Sequence, residues 1–146
     1  MDSIKELHDR DFNLWVEETK KAILNRDFEH MDWDNLLDEI DDMGKSEKRS
    51  LESYLQRLIE HILKLSYWES EKERNFRHWQ SEVINFRNLI KRLLKRNPSF
   101  NRYMEDVYQE LFQDAIALLE VEFEIPQDSF VELKLMMTDG YFGLKK

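Results

Sequence analysis

The sequence predicts an all-α protein: a single-domain helical bundle, residues 1–146, with about five main helices and a short C-terminal one. Three observations predict it. Only three glycines and two prolines occur in 146 residues, which leaves little material for the turns that a sheet needs. Apolar residues recur at three- and four-residue spacing along most of the chain. Charged side chains make up 36% and aromatic ones 12%, the mark of a folded domain with a dense core and not of a disordered acidic tail. A chain of this length buries roughly 68–70% of its unfolded surface, enough for one core without metals or disulfides.

Ser3-Ile4-Lys5-Glu6 has capping-box spacing, so a helical turn can begin there. The first clear helix is expected from Asp9 to Asn25, with Phe12, Trp15, Val16, Thr19, Ile23 and Leu24 on its less polar side. Asp32 is the natural N-cap of a second helix, in which Trp33, Leu36, Leu37, Ile40 and Met43 alternate with acids. Gly44 is expected to stop that helix and Ser46 to cap a third, with one long helix bent at Gly44 as the alternative. The third, with Leu51, Leu55, Leu58, Ile62 and Leu65 plus Tyr54, Ile59, Leu63 and Trp68, is apolar around most of its circumference and reads as the central helix. A loop is expected over residues 66–73. The fourth helix then carries Phe76, Trp79, Val83, Phe86, Ile90 and Leu93 at heptad spacing to about Asn97, where Pro98 ends it. Ser99 opens a fifth helix, Pro126 breaks it, and a short last helix holds Phe130, Leu133, Met136 and Met137.

Charge narrows the function. The net charge is −9, from 22 basic and 31 acidic residues, which argues against general nucleic-acid binding. Charge is nonetheless segregated. Residues 27–44 hold acids and no lysine or arginine, whereas the fourth helix bears Lys72, Arg74, Arg77, Arg87, Lys91, Arg92, Lys95 and Arg96, read as a basic outer face. The two patches can attract each other within the chain or between protomers, and the basic helix, 71–96, is where nucleic acid would bind if any did. With no cysteine in the chain, disulfides, thiolate zinc sites and cysteine nucleophiles are excluded. The charged N-terminal stretch shows no apolar signal-peptide region, and no apolar run approaches the ~20 residues of a membrane span. The expected compartment is the cytoplasm, with no membrane contact.

Chemistry-bearing motifs are few. Gly44-Lys45-Ser46 ends like a phosphate-binding loop, but the glycine required five positions earlier is Glu39, so the helix-cap reading is preferred. Bundle di-iron sites use Glu-x-x-His pairs. The residues three before His8, His30, His61 and His78 are Lys5, Asp27, Leu58 and Asn75, so no metal or cofactor is assigned. His61 stands in the most apolar helix, and its expected partner is a carboxylate of the acidic helix. Arg57-x-x-x-His61 and Arg74-Asn75-Phe76-Arg77-His78 are loosely similar to the arginine–histidine motif of HEPN-type ribonucleases, with spacing at least one residue too short. The candidate functional residues are Asp38, Glu39, Arg49, Arg57, His61 and His78.

The run Asp32-Trp33-x-Asn35-Leu36-x-Asp38-Glu39-Ile40-x-x-Met43-Gly44-Lys45-Ser46-Glu47-Lys48-Arg49-x-Leu51-x-Ser53-x-Leu55 closely resembles the signature of the bacterial family called domain of unknown function 29. Asp11-Phe12-x-Leu14-Trp15-x-Glu17-x-Thr19, Leu63-Lys64 with Tyr67, and Asn97-Pro98-Ser99 add to the resemblance, which loosens past Glu124. It implies an all-α bacterial domain, abundant in cyanobacteria, and brings no activity, cofactor or catalytic residue. The leading expectation is a helical protein–protein interaction module, with self-association among its modes. The alternatives are a hydrolytic or nucleic-acid-linked enzyme using His61 and His78 with nearby acids and arginines, and, behind it, a metal-binding bundle.

Overall fold

A computed structural model describes residues 3–144. The protein is all-α. Its elements are α1 (Ile4–Arg10), α2 (Phe12–Leu24), a 3-10 turn (Phe28–His30), α3 (Trp33–Tyr67), α4 (Glu69–Arg96), α5 (Phe100–Leu119) and the short α6 (Leu133–Met136). Internal contacts divide the chain into two compact units, Met1–Ser46 and Glu47–Lys146.

The first unit is held by side-chain caps. Ser3 Oγ accepts from the Glu6 amide at 3.3 Å and so starts α1. Asp11 ends α1 and caps α2, its carboxylate accepting from the Leu14 amide at 3.2 Å. The turn expected from Ser3 is thus a full helix, and the helix expected over 9–25 starts at Phe12, because the Asp11 carboxylate competes with the helical ladder. Arg26 closes α2 with φ 56°. The Asp27 amide donates to Ala22 O at 2.8 Å and the Arg26 amide to Ile23 O at 3.1 Å, a Schellman ending with arginine where glycine is usual. Asp32 caps α3 as expected, its Oδ1 accepting from the Asn35 amide at 3.3 Å.

Two expected helices are one. α3 runs 35 residues without interruption through Gly44, about 50 Å of helix, and Ser46 lies inside it rather than capping a new one. Nothing approaches within 4 Å of a Cβ built on Gly44, so the residue keeps helical geometry in open space and weakens the helix without breaking it. Gly44→Ala will therefore raise stability by about 1 kcal/mol. Chemical denaturation checks this, and an unchanged or lower midpoint would show that the glycine has a positive structural role.

The second unit is built on the later part of α3. No residue of α3 before Leu51 is buried, whereas Leu51, Leu55, Leu58, Ile59, Ile62, Leu63 and Leu65 are. They pack with Trp79, Val83, Phe86 and Ile90 of α4 and with Phe100, Met104, Tyr108, Phe112 and Ala115 of α5. This is the near-complete apolar circumference read from the sequence. The expected loop over 66–73 shrinks to Trp68 between two helices. The Trp68 ring stacks on Trp79 at 5.9 Å and on Phe123 at 4.8 Å, so aromatic packing fixes the reversal without a loop. α4 reaches back to Glu47, where Asn97 Nδ2 donates to Oε2 at 2.7 Å and Arg96 pairs with Oε1 at 3.1 Å.

Arg87 corrects the basic-face reading of α4. It is 1% exposed. Its Nε donates to Met136 O at 2.8 Å and its Nη2 to Tyr141 O at 2.5 Å, and the guanidinium lies 5.9 Å from the Phe142 ring. Burial lowers its pKa, against a smaller opposing pull from Asp139 and Tyr141. One residue of the supposed outer face is thus a core strut that holds the C-terminal segment. Lys91 pairs with Asp139 at 2.5 Å beside it. Further along, Gly143 has φ +92°, and a Cβ there would sit 2.5 Å from Ser66 Oγ. The segment lies close against α3 at that point, and Ser66 Oγ accepts from the Leu144 amide at 3.0 Å.

Candidate functional site

The acidic stretch singled out by the sequence falls mostly in the first unit, where part of it is structural. Asp32 is 6% exposed. Its Oδ2 accepts from Trp15 Nε1 at 3.0 Å and from Asn35 Nδ2 at 2.7 Å. Burial alone would push this carboxyl up. The bonds from Asn35 and Trp15 outweigh burial and hold it below the usual carboxylate range. The Trp15 carbonyl in turn accepts from Thr19 Oγ1 at 2.6 Å.

Glu39 reaches the same cluster through a residue the sequence gave no reason to choose. His8 Nε2 donates to Glu39 Oε1 at 2.8 Å, and His8 Nδ1 lies 3.3 Å from Asp9 Oδ1. Both ring nitrogens face carboxylates, an arrangement that only the imidazolium satisfies fully. The ring also packs edge-on against Trp15 at 5.0 Å. The bond to Glu39 is the largest influence on His8 and raises its pKa, with burial opposing. Such a group stabilises the fold fully below its unfolded pKa, and the contribution is lost as pH rises through the folded value. Glu39→Gln will lower the His8 titration midpoint toward the ordinary value near 6.5, followed by the His8 Cε1–H resonance. An unmoved midpoint would remove the pair as the cause.

The remaining acids of the stretch behave differently. Asp27 pairs with His30 at 2.8 Å and Asp41 with Lys45 at 2.8 Å. Asp34, Asp38 and Asp42 are exposed, and none has a hydrogen-bond or ion-pair partner among the described residues. They share the first turns of α3 with a row of exposed apolar side chains. Trp33, Leu37, Ile40 and Met43 are 50%, 64%, 55% and 67% exposed. At 100° per residue, Trp33, Leu37, Ile40 and Gly44 lie within about 60° of one another, with Asp34, Asp38 and Asp41 along one edge.

The other candidates belong to the second unit. Arg49 and Arg57 are exposed on α3 and His78 is exposed on α4. His61 is half-buried, and its partner is not a carboxylate, as the sequence reading preferred. Its Nδ1 donates to the Arg57 carbonyl at 2.6 Å, the ring packs 5.7 Å from Phe86, and burial lowers its pKa. Glu82 and His78 act on it only through their charges, in opposite senses. Arg57 borders a cleft of ≈ 440 Å³ with Ser53, Gln56, Glu60 and Leu118; burial pushes the Glu60 carboxyl up, and Lys64 and Arg57 oppose this. Thus Arg57 and His61 are joined by one bond, His61 senses the charge of His78, and Asp38 and Glu39 lie in the other unit. Among the described residues no three histidine, aspartate or glutamate side chains converge to hold a metal ion, and no helix is long and apolar enough to cross a membrane.

Comparison with known proteins gives one result. The model of a family described as "Domain of unknown function DUF29" matches residues 7–141, past Glu124, where the resemblance read from the sequence loosened. No curated protein and no solved structure matches the chain.

Proposed function

The chain belongs to the DUF29 family, and from that premise we propose that it is a small helical protein–protein interaction module whose docking surface is the exposed stripe of α3. The exposure of Trp33, Leu37 and Ile40 carries this reading. Apolar side chains scattered singly over a surface are ordinary, but a row at i, i+4 and i+7 on one helix face has the form of a helix-docking surface. The support beneath it favours the same reading. Asp32 and Glu39 anchor the start of α3 to Trp15 and His8, so the row is presented on a positioned helix.

The test compares immobilised wild-type protein with a Leu37→Ser/Ile40→Ser variant for capture of binding proteins from an extract of the native cell. Proteins retained by the wild type and lost by the variant are expected. Identical retention by both would overturn the assignment of the surface.

A hydrolytic reading rests on a narrower observation. With Nδ1 committed to the Arg57 carbonyl, His61 presents Nε2 as an acceptor, the form a general base needs. Incubation of the protein and its His61→Ala variant with single-stranded RNA tests it, and equal cleavage by the two would remove His61 from any such role.

A further inference from the structure

We infer that the partner of the α3 stripe is a cationic amphipathic helix of another protein, an assignment that rests on the docking-surface reading above. The inference comes from what lies beside the apolar row. Asp34 and Asp38, one turn apart, are exposed and unpaired among the described residues, and Asp41, the next acid on that edge, shares its charge with Lys45. No lysine or arginine occurs from Asp27 to Gly44. A helix lying along the row would place one flank against Asp34 and Asp38, so lysines or arginines at i and i+4 of the partner fit there.

The same charges disfavour the simplest alternative. A second copy packed by two-fold symmetry through this face would bring identical acidic edges into one interface. The basic helix α4 of a second copy is a weaker match than its composition suggests. Arg87 is buried, Lys91 is paired with Asp139, and Arg96 is paired with Glu47. Gly44 adds a steric point. It continues the row one turn beyond Ile40 with nothing within 4 Å of a Cβ placed there, so a partner backbone can approach closely at that end. Trp33 to Gly44 spans about 17 Å, which a partner helix of about three turns covers.

The test uses fluorescein-labelled 14-residue peptides with leucine at heptad a, d and e positions and lysine elsewhere, beside the same peptide with glutamate for lysine. Anisotropy is read at 50 and 300 mM salt, with far-UV circular dichroism on every protein variant to certify the fold. The lysine peptide is expected to bind at least tenfold tighter than the glutamate peptide and to weaken at high salt. An Asp34→Lys/Asp38→Lys variant is expected to lose that preference. Equal affinity for both peptides, or full retention of lysine-peptide binding by the charge-reversed variant, overturns the inference. If the Leu37→Ser/Ile40→Ser variant nevertheless loses extract partners, the docking surface stands and only the cationic assignment falls. Sedimentation velocity closes the remaining case, since a dimer lost in that serine variant would make a second copy the occupant and overturn the inference.

Discussion

Arg87→Ala will destabilise the second unit by about 3–6 kcal/mol. Two backbone carbonyls, Met136 O and Tyr141 O, accept from this guanidinium, and removing a charged donor from a buried acceptor costs roughly 1.5–3 kcal/mol for each bond. The Met136 side chain is fully buried, so water cannot replace the lost donor at that end without opening the core. Loss of the segment that carries Tyr141 and Phe142 should come first, read as new protease cleavage after residue 130, followed by a lower denaturation midpoint. Arg87→Lys tests the geometry. A single ammonium cannot reproduce two diverging N–H bonds, so lysine should recover only part of the loss. An unfolding free energy within about 1 kcal/mol of the wild type for the alanine variant would mean that the segment is held mainly by its aromatic residues.

Asp32→Ala is expected to cost about 1.5–5 kcal/mol in the first unit. It removes an N-cap, at roughly 0.5–2 kcal/mol, and leaves the Trp15 indole N–H buried without an acceptor, at about 1–3 kcal/mol. Trp15 is 3% exposed, so its emission should shift to longer wavelength as the site opens. Hydrogen exchange should localise the loss to α2 and the first turns of α3. The carboxyl sits below its usual range in the folded protein, so its contribution is present above the unfolded pKa of about 3.9 and disappears as pH falls through the folded value. The difference between wild type and variant should therefore be full at pH 7 and shrink in acid. A constant difference across that range would show that the charge of Asp32 is not what stabilises α3.

The apolar periodicity made the helices legible, including the central place of residues 51–65. What it could not show was where helices end when the signal is a single side chain. Asp11 moves the start of α2 from the expected Asp9 to Phe12, because one carboxylate bond to the Leu14 amide starts the helix there. Gly44 has the opposite lesson. Its intrinsic cost is about 1 kcal/mol, less than the packing of α3 supplies, so a nominal stop is carried through. Position in the sequence also failed for Arg87, because heptad counting places side chains on a face without knowing which segment returns to cover it. His8 escaped notice for a related reason, since its partner Glu39 lies 31 residues away. Asp38 and Glu39 are both acids of the family-like run, and the helix separates them: Glu39 turns to His8, and Asp38 to the open edge of the stripe.

Arg87 also sets a timetable for synthesis. Its acceptors lie 49 and 54 residues later in the chain. At typical elongation rates they follow it by about 3–10 s. Throughout that interval α3 and α4 can meet along Leu55, Leu58, Ile62, Val83 and Ile90, but the Arg87 guanidinium lacks the two carbonyls that accept from it in the folded protein and must stay hydrated. The bonds that seat Arg87 in the core therefore form only after residues 136–141 have been made.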